Sequence, residues 1–348
     1  MLEIMEKEPK TAVVILNWNG FKDTVECLRS LEKTDYGNFR IVLVDNGSEN
    51  GEGGELEKKF PGVHLISNAV NRGFAGGNND GMNWAVENGF EYVVNLNNDC
   101  VVTVDWLRNL IETIVSEKAD FGSPRIMFYP ETDRICSAGD ALLPDGSSLA
   151  LERGAPYAGH AVARRLFSAC GAASAYSVKC LKELKVKGTQ YFDELYFAYL
   201  EDLDLGIRAN AKGFKGVYAP RSVVYHKHSA TAGRHSAFKL FNSEKNRILN
   251  ELLNYPLYFV PMGEILSIIK YALKIAGGVI SRIQKSGPPG AGYMKELGLA
   301  RTAACFLKAK WWIIRHLGEI LPDRAERKKK GMVNNAVLKD FYWKIWKR

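Results

Sequence analysis

The chain has 348 residues, of which 46% are hydrophobic and 25% charged, the composition of an ordinary globular protein. Its net charge is +8, with much of the excess near the end of the sequence, but it contains no recognisable nucleic-acid-binding module, so we expect no nucleic-acid partner. Six scattered cysteines without CxxC spacing favour a reduced cytosolic protein over a disulfide framework. Neither a signal-like N-terminus nor an apolar run of ~20 residues is present, which argues against secretion and against a membrane span.

Two buried strands are predicted early in the chain. The β-branched apolar runs in TAVVILNWNG (11–20) and FRIVLVDNGS (39–48) indicate strands, and an amphipathic helix is expected from about Asp23. A strand–helix–strand unit of this kind is parallel and right-handed. Asn17 and Asp45, where the two strands end, should therefore lie side by side at one edge of the sheet.

A glycine-rich stretch (68–89) is predicted to begin as a turn and to continue as a helix. Arg72 lies in this turn with Gly73, Gly76 and Gly77. Glycines let backbone N–H groups approach a phosphate, and arginine pairs with phosphate, so the stretch is a candidate phosphate site. A loop that only caps the helix would explain the same residues.

The segment EYVVNLNND (91–99) combines a short apolar strand with a polar tip that ends in Asp99. Ligand crevices of open α/β sheets lie at the carboxyl ends of the strands, and Mg²⁺ and Mn²⁺ prefer oxygen ligands. The segment therefore predicts a divalent-cation site associated with phosphate. The alternative is a strand followed by an Asx-rich turn.

A pair of acids, Glu201 and Asp202, directly follows the aromatic run YFAYL. Acids in the first turn of a helix favour its dipole, and Asp204 can pair with Arg208 at i, i+4. This accounts for Asp204 but leaves the first two acids unexplained. A carboxylate partly shielded from water at this position suits a general base.

Two histidines, His226 and His228, follow a strand-like run at a spacing that puts both imidazoles on one face. They are either metal ligands or surface histidines. Earlier, the stretch 121–154 has short β-like runs and a hairpin signal at Pro144-Asp145-Gly146.

The C-terminal part is basic and helical. Its apolar, Trp-containing faces flanked by lysine and arginine suit helices that lie on a membrane surface. A helical subdomain packed on the main domain or on a second subunit is the alternative, so a homo-oligomer through these helices stays open. We divide the chain into a domain at 1–240, with halves at about 11–105 and 106–240, and a helical region at 241–348.

Six stretches, in this order, resemble the family 2 glycosyltransferases, inverting enzymes of the GT-A fold, and most of all their rhamnosyltransferase-like branch. They are VVILNWNG, FRIVLVDNGS, NRGFAGGNN, NLNND, FDELYFAYLEDLDLGIRA and VVYHKHSATAG. The resemblance covers about 11–250. It implies an α/β GT-A fold, Rossmann-like, with a mixed, mainly parallel central sheet and a C-terminal helical appendage.

The resemblance also implies roles for individual residues. Asp202 would be the catalytic base, with Glu201 beside it. The residues expected to bind the nucleotide sugar are Asn17, Asn19, Asp45, Asn46, Arg72, Gly73, Asn78, Asn97 and Asn98. Asn97 replaces the first acid of the family's DxD motif, so Asp99 is the main expected ligand of Mg²⁺ or Mn²⁺, completed by His226 or His228.

The expected function is thus transfer of a sugar, with inversion, from a nucleoside-diphosphate donor to a glycan or lipid-linked acceptor in cell-surface polysaccharide or glycoconjugate synthesis. The donor favoured by resemblance is dTDP-rhamnose, with a UDP-sugar as the other choice. We expect a cytoplasmic protein peripheral at the inner face of the membrane. A sugar-nucleotide pyrophosphorylase would carry a glycine-rich, basic signature near the first strand, which NWNGFKDT lacks. A non-catalytic nucleotide-sugar-binding or assembly protein would have no need of Glu201 and Asp202.

Overall fold

The chain is described from a computed structural model, for residues 8–157, 159, 162–227, 236–284 and 292–334. These residues divide into two compact units. The first comprises the described parts of Met1–Ala141 and Leu149–His228, and the second those of Leu142–Ser148 and Ser229–Arg348. His228, one of the predicted metal ligands, lies outside the described residues.

Strands and helices alternate through the first part of the chain, and helices follow at its end. The strands are β1 (Thr11–Asn17), β2 (Phe39–Asp45), β3 (His64–Ser67), β4 (Tyr92–Asn97), β5 (Cys100–Val102), β6 (Phe121–Phe128), β7 (Ile135–Ser137), β8 (Asp140–Leu142), β9 (Ser148–Ala150), β10 (Arg164–Leu166), β11 (Ala173–Ser177) and β12 (Gly216–His226). The helices are α1 (Phe21–Leu31), α2 (Glu52–Lys59), α3 (Gly73–Glu87), α4 (Trp106–Ser116), α5 (Val178–Leu184), α6 (Glu201–Ala211), α7 (Ala237–Asn254), α8 (Val260–Gln284) and α9 (Gly292–Lys329).

The first unit is built on one mixed sheet with the strand order β10-β12-β6-β11-β4-β1-β2-β3. Strands β1, β2, β3 and β4 pair in parallel, while β11 is antiparallel to both β4 and β6. In the β1–β2 register Asn17 is the partner of Asp45. The predicted parallel unit and the meeting of these two side chains at one sheet edge are both confirmed.

Side chains of the central strands alternate between two apolar cores, one on each face of the sheet. On β1, Val13 and Ile15 face the core that contains Leu28, whereas Val14 faces the core that contains Met82. A strand buried on both faces reads as a continuous apolar run, which is why AVVIL marks β1 so clearly in the sequence. Because both faces are covered, polar side chains of these strands concentrate at their carboxyl ends.

The glycine-rich turn predicted before α3 is wrong, because the helix already begins at Gly73. A Cβ atom on Gly77 would lie 2.4 Å from Leu16 Cδ1, and one on Gly81 would lie 2.4 Å from Val14 Cγ1. These glycines therefore let α3 pack closely on β1. Sequence alone does not distinguish this use of glycine from a phosphate loop, since both need a missing side chain.

The second unit contains the hairpin predicted at Pro144-Asp145-Gly146, which forms between the paired strands β8 and β9. The turn is closed by Leu143 N–H, which donates to Ser147 O at 2.8 Å. Ser147 also donates through its hydroxyl to Asp145 Oδ1 at 2.5 Å. The short polar residues of the turn thus satisfy its own backbone and side-chain groups.

A buried arginine, Arg247, organises the charged interior of the second unit. Its guanidinium lies 2.8 Å from Glu244, 3.4 Å from Glu251 and 2.5 Å from Glu264. It also donates to the backbone oxygen of Asp145 at 3.1 Å. Burial, together with the negative charge of Glu264 and other nearby acids, raises the pKa of Glu251 to about 9, although the arginine acts in the opposite direction. The arginine therefore links α7, α8 and the hairpin. Removing one partner of such a buried network would leave an uncompensated charge and would strongly destabilise the unit.

Two helices of the second unit expose apolar side chains. On α8 the exposed residues are Met262, Ile265, Ile268 and Ile269. On α9, Leu307, Trp311 and Ile314 are 57–69% exposed at i, i+4, i+7 spacing. None of the described helices combines the length and the apolar composition that crossing a bilayer requires.

Gly81→Ala should destabilise the first unit by about 1–3 kcal/mol, because the added methyl group overpacks against Val14. Urea or thermal unfolding measures the loss. Gly54→Ala on α2 is the matched control, since its Cβ would meet nothing within 4 Å and alanine favours the helix by roughly 1 kcal/mol. Equal stability of the Gly81 variant and the wild type would contradict the packing role.

Candidate active site

The carboxyl ends of β1 and β2 carry a connected polar network. Asn17 Nδ2 lies 3.1 Å from each of Asp45 Oδ1, Ser48 Oγ and Glu52 Oε2. Its amide oxygen accepts from the Thr24 hydroxyl at 2.7 Å. Asn17 is fully buried. These neighbours therefore fix the orientation of its amide. Ser48 and Glu52 could not be identified from the sequence, because they lie in a loop and a polar helix with no distinguishing pattern.

The next residues along both strands join this network. Asn19 N–H donates to Ser48 Oγ at 3.0 Å, and Asn19 Oδ1 accepts from Glu49 N–H at 2.8 Å. Asn46 donates to Asn71 Oδ1 and accepts from Arg72 N–H. The structure thus brings Asn19 and Asn46 to the same sheet edge as Asn17 and Asp45, the two residues that the strand pattern predicts there.

Arg72 and Gly73 lie at the start of α3, where their polar groups already have protein partners. The Arg72 guanidinium pairs with Asp80 and, at 3.1 Å, with Glu194. Gly73 N–H donates to Asn71 Oδ1 at 2.8 Å. A phosphate at this position would have to replace these bonds, so their predicted contact with the diphosphate stays a prediction.

Asn78, another expected nucleotide-sugar ligand, is buried within α3. Its side-chain amide donates to Phe74 O at 2.9 Å, one helical turn earlier. Such a bond to the i−4 carbonyl accounts for the residue locally. Sequence reasoning could not place it, because the preceding stretch was expected to be a turn.

The predicted metal residues Asp99 and His226 meet, although 127 positions separate them in the sequence. Asp99 Oδ1 lies 3.1 Å from His226 Nε2, and both side chains are about one-tenth exposed. The meeting follows from the pairing of β5 with β12, which sets His226 opposite Cys100. Ligand atoms of Asp99, Cys100 and His226 all lie within 4.8 Å of one another.

The electrostatics of this group favour a charged imidazole in the absence of a metal. Burial alone lowers the pKa of His226, but Asp99 and Cys136 outweigh it and raise the pKa to about 9. Cys136 Sγ lies 4.0 Å from His226 Nδ1, so the second ring nitrogen has a neighbour of its own. Asp99 and His226 could supply one oxygen and one nitrogen ligand to a divalent cation, whereas burial raises the pKa of the Cys100 thiol and keeps it in the protonated form, which is a poor ligand.

Asn97 and Asn98, which precede Asp99 in the chain, connect the polar network with the Asp99–His226 pair. Asn98 Nδ2 donates to Thr24 Oγ1 at 2.9 Å, which connects it to Asn17 through the same hydroxyl. Asn97 ends β4, and its N–H donates to Ala172 O at 2.9 Å. The sheet edge and the Asp99 group are therefore continuous.

Asp202 lies in the first turn of α6 with its carboxylate oriented by backbone donors. Gly171 N–H donates to Asp202 Oδ2 at 2.6 Å, and Leu203 N–H donates to Oδ1 at 2.7 Å. Loss of contact with water raises the pKa of the Asp202 carboxyl, although both N–H groups favour its ionised form. The residue keeps a partly exposed surface, whereas Glu201 is only 4% exposed. Of the two predicted catalytic acids, Asp202 is thus the one accessible to a substrate.

The backbone before α6 is strained. Phe197, Tyr199 and Leu200 all have positive φ angles between 59° and 72°, a region that costs a non-glycine residue of order 1–3 kcal/mol. The Phe197 carbonyl accepts from Ala75 N–H at 3.1 Å, and a Cβ on Gly73 would lie 2.5 Å from that oxygen. Gly73 therefore permits the close approach that stabilises this strained turn.

The rest of α6 is anchored by the predicted Asp204–Arg208 pair, which is confirmed and fully buried. The two side chains meet at 2.8 Å. Arg208 also donates to the carbonyls of Leu184 and Tyr191, at the ends of two other segments. Because a buried arginine with these partners cannot move freely, it fixes α6 and hence the position of Asp202.

The structure adds a residue that the sequence gave no reason to select, Asp140 at the start of β8. Ligand atoms of Asp140, Cys170 and Asp202 lie within 4.8 Å of one another. Asp140 is a single acid in an irregular stretch of short strands, and nothing in its spacing connects it with Asp202. Only the tertiary structure brings Asp140 and Asp202 together.

Comparison with known proteins identifies the family. The glycosyl transferase family 2 model matches residues 12–184. The chain belongs to this family. The matched range contains the strand-edge network and Asp99, and β12 and α6 follow it in sequence.

Two named relatives are themselves glycosyltransferases. The amylovoran biosynthesis glycosyltransferase AmsB of Erwinia amylovora is 24% identical over 273 residues, which are 74% of this chain and 85% of that protein. The N-acetylglucosaminyl-diphospho-decaprenol L-rhamnosyltransferase of Mycobacterium tuberculosis is 42% identical over 55 residues, 16% of this chain and 18% of that protein. An uncharacterised Sinorhizobium fredii protein, y4gI, is 26% identical over 240 residues, and the match spans only 26% of its length.

A solved structure confirms the predicted fold. The crystal structure of GalNAc-T7 with UDP, GalNAc and Mn²⁺ superposes with a TM-score of 0.55 at 17% identity, over 72% of this chain and 50% of that one. At this identity the likeness concerns the fold alone. The first unit therefore has the GT-A fold, with its mixed, mainly parallel sheet.

Proposed function

We propose that the chain is an inverting glycosyltransferase that uses a nucleoside-diphosphate sugar and a divalent cation, with Asp202 as general base. The observation that carries the proposal is the combination, in one GT-A unit, of the Asp99–His226 pair with a carboxylate that backbone N–H groups orient at the start of α6. The fold supports a nucleotide site at the ends of β1 and β2. GalNAc-T7, which shares the fold, is known with UDP and Mn²⁺.

The donor is proposed to bind along the sheet edge. Asn17, Asn19, Asp45 and Asn46 already form a rigid polar edge there, which would contact the base and ribose without further ordering. Asn97 and Asn98 extend this edge towards Asp99. Preorganised groups of this kind lose little conformational entropy on binding.

The diphosphate is proposed to lie beside Asp99 and His226. A divalent cation bound there would neutralise negative charge on the leaving diphosphate. The protein's own contribution is to keep the carboxylate and the imidazole together through the β5–β12 pairing. Arg72 is a further candidate for the diphosphate, although binding would have to draw its guanidinium from Asp80 and Glu194.

Asp202 is proposed to accept the proton of the acceptor hydroxyl as its oxygen bonds to the anomeric carbon. The bond from that carbon to the diphosphate breaks on the opposite face, so the carbon is inverted. A raised pKa makes Asp202 a stronger base than an ordinary aspartate while the two N–H groups keep it oriented. The proposed carboxylate thus takes part in the chemical step and makes no contact with the nucleotide.

The proposed donor and acceptor rest on likeness to two named relatives. The short match to a rhamnosyltransferase that acts on a diphospho-decaprenol acceptor supports dTDP-rhamnose as donor and a lipid-linked glycan as acceptor. AmsB is named for biosynthesis of amylovoran, which supports a role in polysaccharide synthesis.

Contact with a membrane is proposed for the second unit. The exposed Leu307, Trp311 and Ile314 on α9 are flanked by the exposed Lys308 and Arg315. An apolar stripe that contains tryptophan, with basic residues at its border, suits the interface of an anionic lipid surface. Such contact would bring the enzyme to a lipid-linked acceptor at the inner face of the membrane.

Asp202→Asn should lower sugar transfer by about 10²–10⁴-fold, because the amide keeps the shape but cannot accept a proton. Donor binding, measured by calorimetry with the nucleoside diphosphate, should stay at the wild-type level. Loss of nucleotide binding in a folded Asp202 variant, or transfer at the wild-type rate, would overturn the assignment of the base.

Asp99→Ala should abolish the rise in melting temperature that Mn²⁺ alone produces in the wild type, because the main ligand is removed. Asp105→Ala is the control, as Asp105 is an exposed carboxylate before α4 and should leave the Mn²⁺ response in place. If the Asp99 variant responds to Mn²⁺ as the wild type does, the proposed metal site is wrong.

A double variant, Trp311→Ser with Ile314→Ser, should co-sediment far less with vesicles of phosphatidylcholine and phosphatidylglycerol than the wild type. The apolar contact is lost while the basic residues remain. Val115→Ser, which changes an exposed valine of α4, is the matched control and should bind like the wild type. Equal sedimentation of all three proteins, or none for the wild type, would refute membrane contact.

A further inference from the structure

Two carboxyl groups share one small region of the first unit. The carboxyls of Asp140 and Asp202, together with the Cys170 thiol, have oxygen and sulfur atoms within 4.8 Å of one another. Asp140 is 7% exposed, and Asp202 keeps a partly exposed surface. Two carboxylates this close in a poorly hydrated site repel each other, so they lose their protons in separate steps.

The hydrogen bonds around the pair show which group ionises first. Asp202 accepts from the N–H groups of Gly171 and Leu203, which stabilise a negative charge. Asp140 has the Ser137 hydroxyl as a side-chain hydrogen-bond partner, and a hydroxyl oxygen can also accept a hydrogen bond from the O–H of a neutral carboxyl. The more hydrated and better-bonded group is thus Asp202.

We propose that Asp140 is a positioning residue for the base, which retains a proton at neutral pH so that the pair carries one negative charge, on Asp202. The proposal rests on the assignment of Asp202 as the base. Retaining the proton on Asp140 leaves the Asp202 carboxylate free for the acceptor hydroxyl and prevents a second negative charge from repelling it out of position. Loss of that proton at alkaline pH changes the charge next to the base.

The surroundings agree with this distribution of charge. Burial, and then the negative charge of Asp202, raises the pKa of Asp140 to about 8, although Arg153 and Ser137 act in the opposite direction. Among the residues that the structure describes, the titratable and charged groups that act on the pair are Arg153, Cys170 and Tyr176. Burial raises the pKa of both the thiol and the phenol, so these two groups stay neutral and add no further negative charge next to the carboxyls.

The test uses the pH dependence of stability, which does not require activity. The pKa of Asp140 rises from 3.8 to about 8 on folding, so the folded state binds more protons between these values and the wild type loses stability as pH increases through this range. Asp140→Asn removes that loss. The melting temperature of the variant minus that of the wild type should therefore increase by several degrees between about pH 5.5 and 8.

Glu26→Gln is the matched control in the same unit. Its hydrogen bond with Lys227 lowers the pKa of Glu26, so its stabilising effect is complete above 4.5 and is lost only at more acidic pH. The melting-temperature difference of this variant should be constant over the same pH range. A difference that is equally constant for Asp140→Asn would overturn the proposal.

The double variant Asp140→Asn with Asp202→Asn tests whether the two carboxyls act as a pair. On the Asp202→Asn background the pH-dependent increase caused by Asp140→Asn should be smaller, because the repelling charge is gone. An increase of the same size on both backgrounds would show that burial alone acts on Asp140 and would refute the pair.

The pH profile of kcat/KM gives a functional readout. The wild-type profile should bend near the pKa of about 8, and the bend should be missing in Asp140→Asn. A bend that persists in the variant contradicts the proposal. The stability test can fail independently of the proposed function. An active Asp202→Asn enzyme would refute the role of Asp202 as base, but it would not change the melting-temperature difference between Asp140→Asn and the wild type.

Discussion

The short segment 170–172, which precedes β11, sets the spacing of the whole proposed site. Ala172 O accepts from Asn97 N–H at 2.9 Å and from the Cys100 thiol, which fixes the segment to the residues beside the proposed metal site. One residue earlier, Gly171 N–H donates to Asp202 at 2.6 Å, which fixes the segment to the proposed base. A transferase has to hold a leaving group and a base on opposite sides of one carbon, and misplacement by about 1 Å can cost 10²-fold in rate. Because these three residues lead directly into β11, a central strand of the sheet, their position is rigid enough to meet that demand.

The small side chains of this segment follow from its position. A Cβ on Gly171 would lie 3.0 Å from Asp202 Oδ2, and one on Gly206 of α6 would lie 2.5 Å from Ser168. Larger residues would separate α6 from the sheet and move the carboxylate with it. On the other side, the strained turn at 197–200 and the buried Arg208 keep the start of α6 in place. Packing and strain therefore serve the orientation of one carboxylate.

How much of this could be predicted depends on the range of the interaction. The strand ends at Asn17 and Asp45 are readable because a buried strand has to be apolar until it reaches the crevice. Asp99 and His226 could be chosen by their chemistry, although only the β5–β12 pairing shows that they touch. Asp140 and Glu52 could not be found, since their partners lie far away in sequence and no periodicity marks them. The prediction of a turn for the glycines of α3 was wrong for a related reason, because their contact with residues such as Val14 depends on tertiary packing that the sequence does not show.

The measurement that most directly tests the central claim is a thermal-shift titration with UDP, dTDP, GDP and CMP, each with Mn²⁺, with Mg²⁺ and with EDTA. A ligand that binds only the folded protein must raise its melting temperature. We expect a strong rise with one nucleoside diphosphate in the presence of Mn²⁺ and none in EDTA, and the nucleobase of that nucleotide then defines the donor class. No rise with any nucleotide, with or without metal, would contradict a metal-dependent nucleotide-sugar site.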